Sequence, residues 1–443
     1  MENQMPEVFS HLTNRIHRIK HTYAIGRIAE IASGVAVVRG LAAKAAMGDR
    51  VEIGRAGNLA EVIGIEPGSV KILPEAGGAG LTLGSEVHIA GPMAIAPDES
   101  WIGRVIDPMG RPLDGRPLFA GETMRNVQAK PPTAADRQRL GSRLSTGTAC
   151  FDTILPIVRG QRLGLFAGSG VGKSTLLSQF AQHMAADVVV IALVGERGRE
   201  LREFVETTLG PSGLARSVVI AATSDQSALL RKQCILSALT VAEFFRDAGK
   251  DVLLLADSVT RFAEAHREVA LAAGEQPSLR GYPPSVQAAI MSMAERAGPG
   301  TSMQGNITAI FSVLVPGSDM DEPVADILRG VLDGHVVMDR KIAERGRFPA
   351  IDLLRSVSRS LPWAASAQEN ELISNARKII STWESAELMV QAGLYSAGAD
   401  PAIDKAIQRW PALDHFIAAP APVGGNEASF RLLAEVLAGR QRV

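Results

Sequence analysis

The chain has 443 residues, enough for two or three domains with a sizeable core. Its 46 Lys and Arg nearly cancel its 47 Asp and Glu, and aromatics make up only 5%. Neither the charge footprint nor the stacking surface of a nucleic-acid binder is there, so no nucleic-acid partner is expected.

Cys150 and Cys234 lie far apart without ligand-spaced partners and read as reduced, buried thiols. His17 and His21 share a helix face but sit among Arg15, Arg18 and Lys20, so solvation is expected there, not metal binding. The N-terminus has no apolar core of a signal peptide, and the longest apolar runs are strand-sized. The expected place is the cytosol.

Residues 1–22 are read as an N-terminal amphipathic segment. Phe9, Leu12, Ile16 and Ile19 recur at helical spacing between Pro6 and Lys20, a pattern that fits docking on a partner, on an anionic membrane surface or on the protein itself. Over residues 23–96, short β-prone runs such as Val35–Val38, Val51–Ile53 and Val70–Leu73 alternate with Gly-rich turns, which predicts a small barrel or sandwich. Residues 97–140 are connector-like, with turn chemistry at Asp107–Pro112. Gln161–Phe166, Val188–Leu193, Val252–Leu255 and Ile307–Val315 are apolar on both faces, the texture of a buried parallel sheet flanked by helices. From residue 362 to the end the sequence is helical and Ala-rich.

Ala167-Gly168-Ser169-Gly170-Val171-Gly172-Lys173-Ser174 follows a predicted strand and opens a predicted helix, Lys173–Met184, the setting a phosphate-binding loop requires. Glycines free the backbone N–H groups to ring phosphates, and the helix N-terminus adds favourable partial charge. Lys173 would reach the β and γ phosphates of ATP, and the Ser174 hydroxyl would ligate Mg²⁺. Asp257 ends the run Val252–Ala256, where a carboxylate faces the ligand crevice and holds the metal or its waters. Glu196, after another such run, is placed to orient and polarise an attacking water. Arg359 lies beyond the predicted sheet and has no role assignable from spacing.

Together these residues resemble the catalytic subunits of the rotary ATP synthase head and, more closely, the ATPases of flagellar and type III secretion. The matching stretches are Gly164–Thr175, Gly195–Glu200, Asp257–Arg261, Arg280–Val286, Asp321–Asp326 and Ser356–Arg359, so the resemblance spans nearly the whole chain from Tyr23. It implies an α/β, RecA-like P-loop core with a parallel sheet over residues 97–361, a small N-terminal β-barrel and a C-terminal helical domain. It places Glu196 as catalytic carboxylate with Arg197 beside it, Asp257 as second acid near Mg²⁺, and Thr175 in the phosphate loop. Arg359 matches a finger reaching the neighbouring subunit's nucleotide, and Phe348 an aromatic ring against adenine, Phe where Tyr is commoner. Gln287-Ala288-Ala289-Ile290-Met291 departs from the usual Phe-led segment.

A chain carrying both Glu196 and Arg359 can complete its active sites from copies of itself, so a homo-oligomeric ring, a hexamer, is expected. The resemblance implies ATP hydrolysis energising flagellar protein export at the inner face of the cytoplasmic membrane. Its partners would be export-apparatus proteins, including a regulator docking on residues 1–22, together with exported proteins and chaperones. An injectisome ATPase and an RNA-dependent ring helicase of the termination-factor type are the alternatives.

Overall fold

The computed structural model describes residues 24–440 except 56, 316–319 and 321. The expected helix between Pro6 and Lys20, the two N-terminal histidines and Asp321 lie outside these.

Six short strands close into an antiparallel barrel: β1 (Ile25–Ala32), β2 (Val35–Arg39), β3 (Asp49–Ile53), β4 (Asn58–Glu66), β5 (Ser69–Pro74) and β6 (Glu86–Pro92), ordered β1-β2-β5-β4-β3-β6. Alternation does the work. Ala36, Val38, Val51, Ile53, Val70 and Ile72 point inward and are buried, while the residues between them, Val37, Glu52 and Lys71, lie on the outer face. A short ribbon, β7 (Ala94–Ile95) with β9 (Arg125–Asn126), follows the barrel. Between them runs β8 (Arg104–Ile106), inside the stretch read as a connector, which instead pairs with the larger sheet. The turn signal after it is real, since Asp107 Oδ1 accepts from the Met109 and Arg111 amides at 2.9 and 2.8 Å.

The larger sheet adds β10 (Arg162–Ala167), β11 (Val188–Glu196), β12 (Ser217–Thr223), β13 (Val252–Asp257), β14 (Gly298–Pro299), β15 (Asn306–Leu314), β16 (Gly334–Met338) and β17 (Ile351–Ser358). Its order is β17-β16-β10-β15-β13-β11-β12-β8, parallel except for β17 and for β14, which pairs off β15. Successive residues feed two cores. Val189, Ile191 and Leu193 face one, with Leu253 and Leu255, whereas Val190, Ala192 and Val194 face the other, with Leu254 and Ala256. That is why these strands are apolar throughout: both faces are covered.

Three helices complete the chain: Ala367–Gln391, Pro401–Ala418 and Gly425–Ala438. The first starts with a capping box, Ser366 Oγ accepting from the Glu369 amide at 3.2 Å and Glu369 Oε2 from the Ser366 amide at 2.8 Å. Their apolar faces, including Ile373, Ile380, Leu413, Phe416 and Leu433, join the core that also contains Leu163 and Leu165 of β10. Cys150 and Cys234 are both free and buried. No helix among the described residues is long and apolar enough to cross a membrane.

The barrel is locked to the core by a buried ion pair. Glu61 of β4 accepts from Lys232 Nζ at 2.6 Å and from Gln233 Nε2 at 3.1 Å, both on the helix Ala228–Asp247. Glu61→Ala would strand a buried ammonium and is expected to cost about 3–5 kcal/mol, read as a lower urea midpoint. Replacing the pair together by Leu and Met should recover most of that loss.

Candidate functional site

The C-terminal ends of β10, β11 and β13 open into one crevice, the place where parallel α/β sheets bind ligands. After β10 the chain turns through Gly170 (φ 77°) and Gly172 (φ 86°), both left-handed. It then enters the helix Lys173–His183. Gly172 caps that helix without a side-chain bond, so no side chain occupies the amides of the first turn. Ala167 and Val171 are buried beneath the loop, while Gly168, Ser169, Gly170, Gly172, Lys173, Ser174 and Thr175 line a cleft of 710 Å³.

Glu196 and Arg197 line the same cleft. The pairing of β11 with β12 slips at Gly195 (φ 69°), an inserted residue that turns Glu196 towards the cleft. Burial first, then the neighbouring Asp257 carboxylate, push Glu196 up to about 7, with Lys173 opposing. A carboxyl ionising near neutrality suits proton transfer from water. Asp257 closes β13 and is 4% exposed; its Oδ1 accepts from Lys173 Nζ at 2.5 Å and from Ser312 Oγ at 2.7 Å. Ser174, Glu196 and Asp257 together line an adjoining cavity of 260 Å³.

Phe348 comes in from the loop before β17, and its half-exposed ring rests on the phosphate loop: a Cβ placed on Gly172 would lie 3.1 Å from its Cδ1. Arg359 is different. It lies past the sheet, but only by one residue, because the antiparallel edge strand β17 carries the sheet on to Ser358. Ile351 pairs with Met338, which is level with Ala167, whereas Arg359 donates its amide to Asp333, level with Arg162. The five residue steps from Arg162 to Ala167, about 17 Å of strand, therefore separate it from the start of its own phosphate loop. It is exposed, and its Nη2 donates to the Arg329 carbonyl at 3.1 Å.

Two cleft arginines went unassigned in the sequence. Arg231 pairs with Glu268 at 2.8 Å and Arg261 with Glu264 at 3.0 Å, and both line the 710 Å³ cleft. Each lies in the opening turns of a helix that follows a parallel strand, β12 or β13, and is capped by a serine, Ser227 or Ser258. That position after a strand end was the available signal.

Backbone amides at a helix N-terminus, an ammonium, two further guanidinium groups and a hydroxyl beside two carboxylates suit a polyphosphate with a small cation. The oxygen donors of Ser174 and Asp257 match what Mg²⁺ takes alongside phosphates and water. Among the described residues no group of three or more His, Cys, Asp or Glu forms a self-sufficient metal cage. Fold and cleft thus define a P-loop ATPase.

Residues 147–358 match the ATP synthase alpha/beta family, nucleotide-binding domain, and residues 365–420 match the T3SS EscN ATPase C-terminal domain. The flagellum-specific ATP synthase of Caulobacter vibrioides is 44% identical over 433 residues, covering 95% of this chain and 98% of that protein. The SPI-2 type 3 secretion system ATPase of Salmonella typhimurium is 44% identical over 360 residues, 81% of this chain and 82% of its own length. Assembled EscN from the enteropathogenic E. coli type III secretion system superposes with a TM-score of 0.86 at 37% identity, covering 93% of this chain and 100% of that one. The chain belongs to the type III secretion ATPases of the ATP synthase alpha/beta family.

Proposed function

We propose that this ATPase works as a homo-oligomeric, Mg-dependent ring, a hexamer, that hydrolyses ATP to ADP and phosphate to energise export through a flagellar type III secretion apparatus. The separation of Glu196 from Arg359 carries the reading. One lies in the cleft; the other is exposed at the far end of β17 and out of reach of its own cleft. A second copy that brings its Arg359 to this cleft completes the site.

Within that site the loop amides and Lys173 hold the β and γ phosphates, Lys173 exchanging Asp257 for phosphate oxygen. Ser174 and Asp257 would hold Mg²⁺, which would neutralise phosphate charge there. Glu196 orients water and takes its proton, with Arg197 at the cleft rim, and Phe348 stacks on adenine. The relative aligned over 98% of its length is a flagellum-specific ATP synthase, which supports flagellar service. EscN has been solved in complex with its central stalk EscO, which supports a stalk partner here. A regulator on residues 1–22 and exported proteins and chaperones as clients belong to the same proposal. In this reading the ATPase works in the cytoplasm, peripheral to the inner face of the membrane.

Two measurements test this. Specific activity should climb as protein rises from nanomolar to micromolar; a flat profile would remove the ring. Expression in Caulobacter vibrioides lacking its flagellum-specific ATP synthase should restore motility. Full ATPase activity in such cells without motility would move the assignment to an injectisome.

A further inference from the structure

The loop that carries Phe348 is gripped from the C-terminal helices. Arg347 is 9% exposed in its side chain; its Nη2 donates to the Ile351 carbonyl at 2.8 Å and its Nε lies 3.3 Å from Asp414 Oδ1, on the helix Pro401–Ala418. Arg345 reaches Glu387 Oε1 at 2.7 Å, on the helix Ala367–Gln391. These two helices brace each other, with Trp383 and Trp410 stacked at 5.8 Å and 15°. Arg347 Nη1 is buried without a partner, and burial pulls the guanidinium's pKa down. A buried cation left short of one acceptor is a poor choice for stability alone.

We infer that Arg347, assisted by Arg345, is a positioning residue for the nucleotide base: through it the C-terminal helices hold the Phe348 ring over Gly172. This rests on the reading of Phe348 as the adenine platform. Buried Pro349 and Ala350 anchor its far end, the Ala350 carbonyl accepting from the Asp339 amide at 2.9 Å, and the two ion pairs act on the stretch before them, between the five-residue helix Arg340–Glu344 and Phe348. Two ion pairs to two helices set both its height and its tilt. By linkage, base binding and the placement of those helices then favour one another.

The test uses the full chain with Arg347→Ala, Asp414→Ala, Arg347→Lys and Phe348→Ala. ATP hydrolysis is measured, with inhibition by ADP and by pyrophosphate, which has no base. Arg347→Ala and Asp414→Ala should each raise KM for ATP and the inhibition constant for ADP by about five- to twentyfold, the lower part of the range for a lost base stack, since the ring is displaced and not removed. Saturated turnover and pyrophosphate inhibition should stay put. Arg347→Lys should recover part of the loss, and the double variant should be no worse than either single one. The clamp is overturned if Phe348→Ala raises KM while Arg347→Ala does not, or if pyrophosphate binding weakens in parallel. If Phe348→Ala leaves KM unchanged, the adenine platform itself is wrong and the clamp falls with it. Should Arg347→Ala fail to fold, Arg345→Ala, at an exposed pair, carries the same readout with about a twofold change.

Discussion

Glu196→Gln is expected to lower phosphate release from MgATP by about 10² to 10⁴-fold while leaving nucleotide affinity within a few-fold. The substitution keeps the shape of the side chain and removes the carboxylate proposed to take a proton from water. It also removes the carboxylate whose ionisation Asp257 and burial oppose, so the cleft loses no positive partner for phosphate. Equilibrium binding of ADP and single-turnover hydrolysis separate the two effects. A residual rate within tenfold of the parent would show that another group activates the water.

Arg359→Ala should cost about 10³ to 10⁵ in turnover, or roughly 4–7 kcal/mol of barrier, although the side chain touches nothing in its own cleft. Because it is exposed and held only through the Arg329 carbonyl, its loss should leave the fold intact. The decisive form of the experiment mixes this variant with Glu196→Gln. In a randomly mixed ring with equal amounts of each, roughly a quarter of the interfaces join an intact Glu196 to an intact Arg359. Activity should therefore return to roughly that share of the parent's when two dead preparations are combined and allowed to reassemble. A mixture as inactive as its components, in rings shown to have exchanged subunits, would mean that Arg359 does not act across the interface.

Much of this was open to the sequence, and the reasons are specific. β10, β11, β13 and β15 are apolar on both faces, so their burial in a parallel sheet could be read directly, and β12 has the same texture. The phosphate loop announces itself because only glycine turns so tightly between a strand and a helix. β8 escaped because three residues, Arg-Val-Ile, are too few to show a period. β17 escaped because an edge strand alternates buried and exposed residues and resembles a surface loop. Glu196 and Asp257 were legible as strand ends; the meeting of Phe348 with Gly172, separated by most of the sheet, was not. Arg231 and Arg261 were hidden by their own charge, since a basic residue on an amphipathic helix reads as solvated until the strand before it is placed.

The position of β10 also has a bearing on the order in which the molecule comes into being. It lies between β15 and β16, yet it precedes them in the chain: Ala167 is followed only at Asn306 and Gly334 by the strands that flank it. At translation rates of about 5–20 residues per second, some 140 residues of waiting amount to roughly 7–30 seconds. Through that interval the strand leading into the phosphate loop has neither neighbour, and its apolar faces have no finished layer to cover them. The barrel is spared this delay, since all its strands emerge within one short stretch before residue 93. On a ribosome, then, the oldest part of the catalytic loop is among the last to acquire a shape, and a nascent chain that stops short of residue 306 holds the phosphate-binding letters without the cleft that gives them meaning.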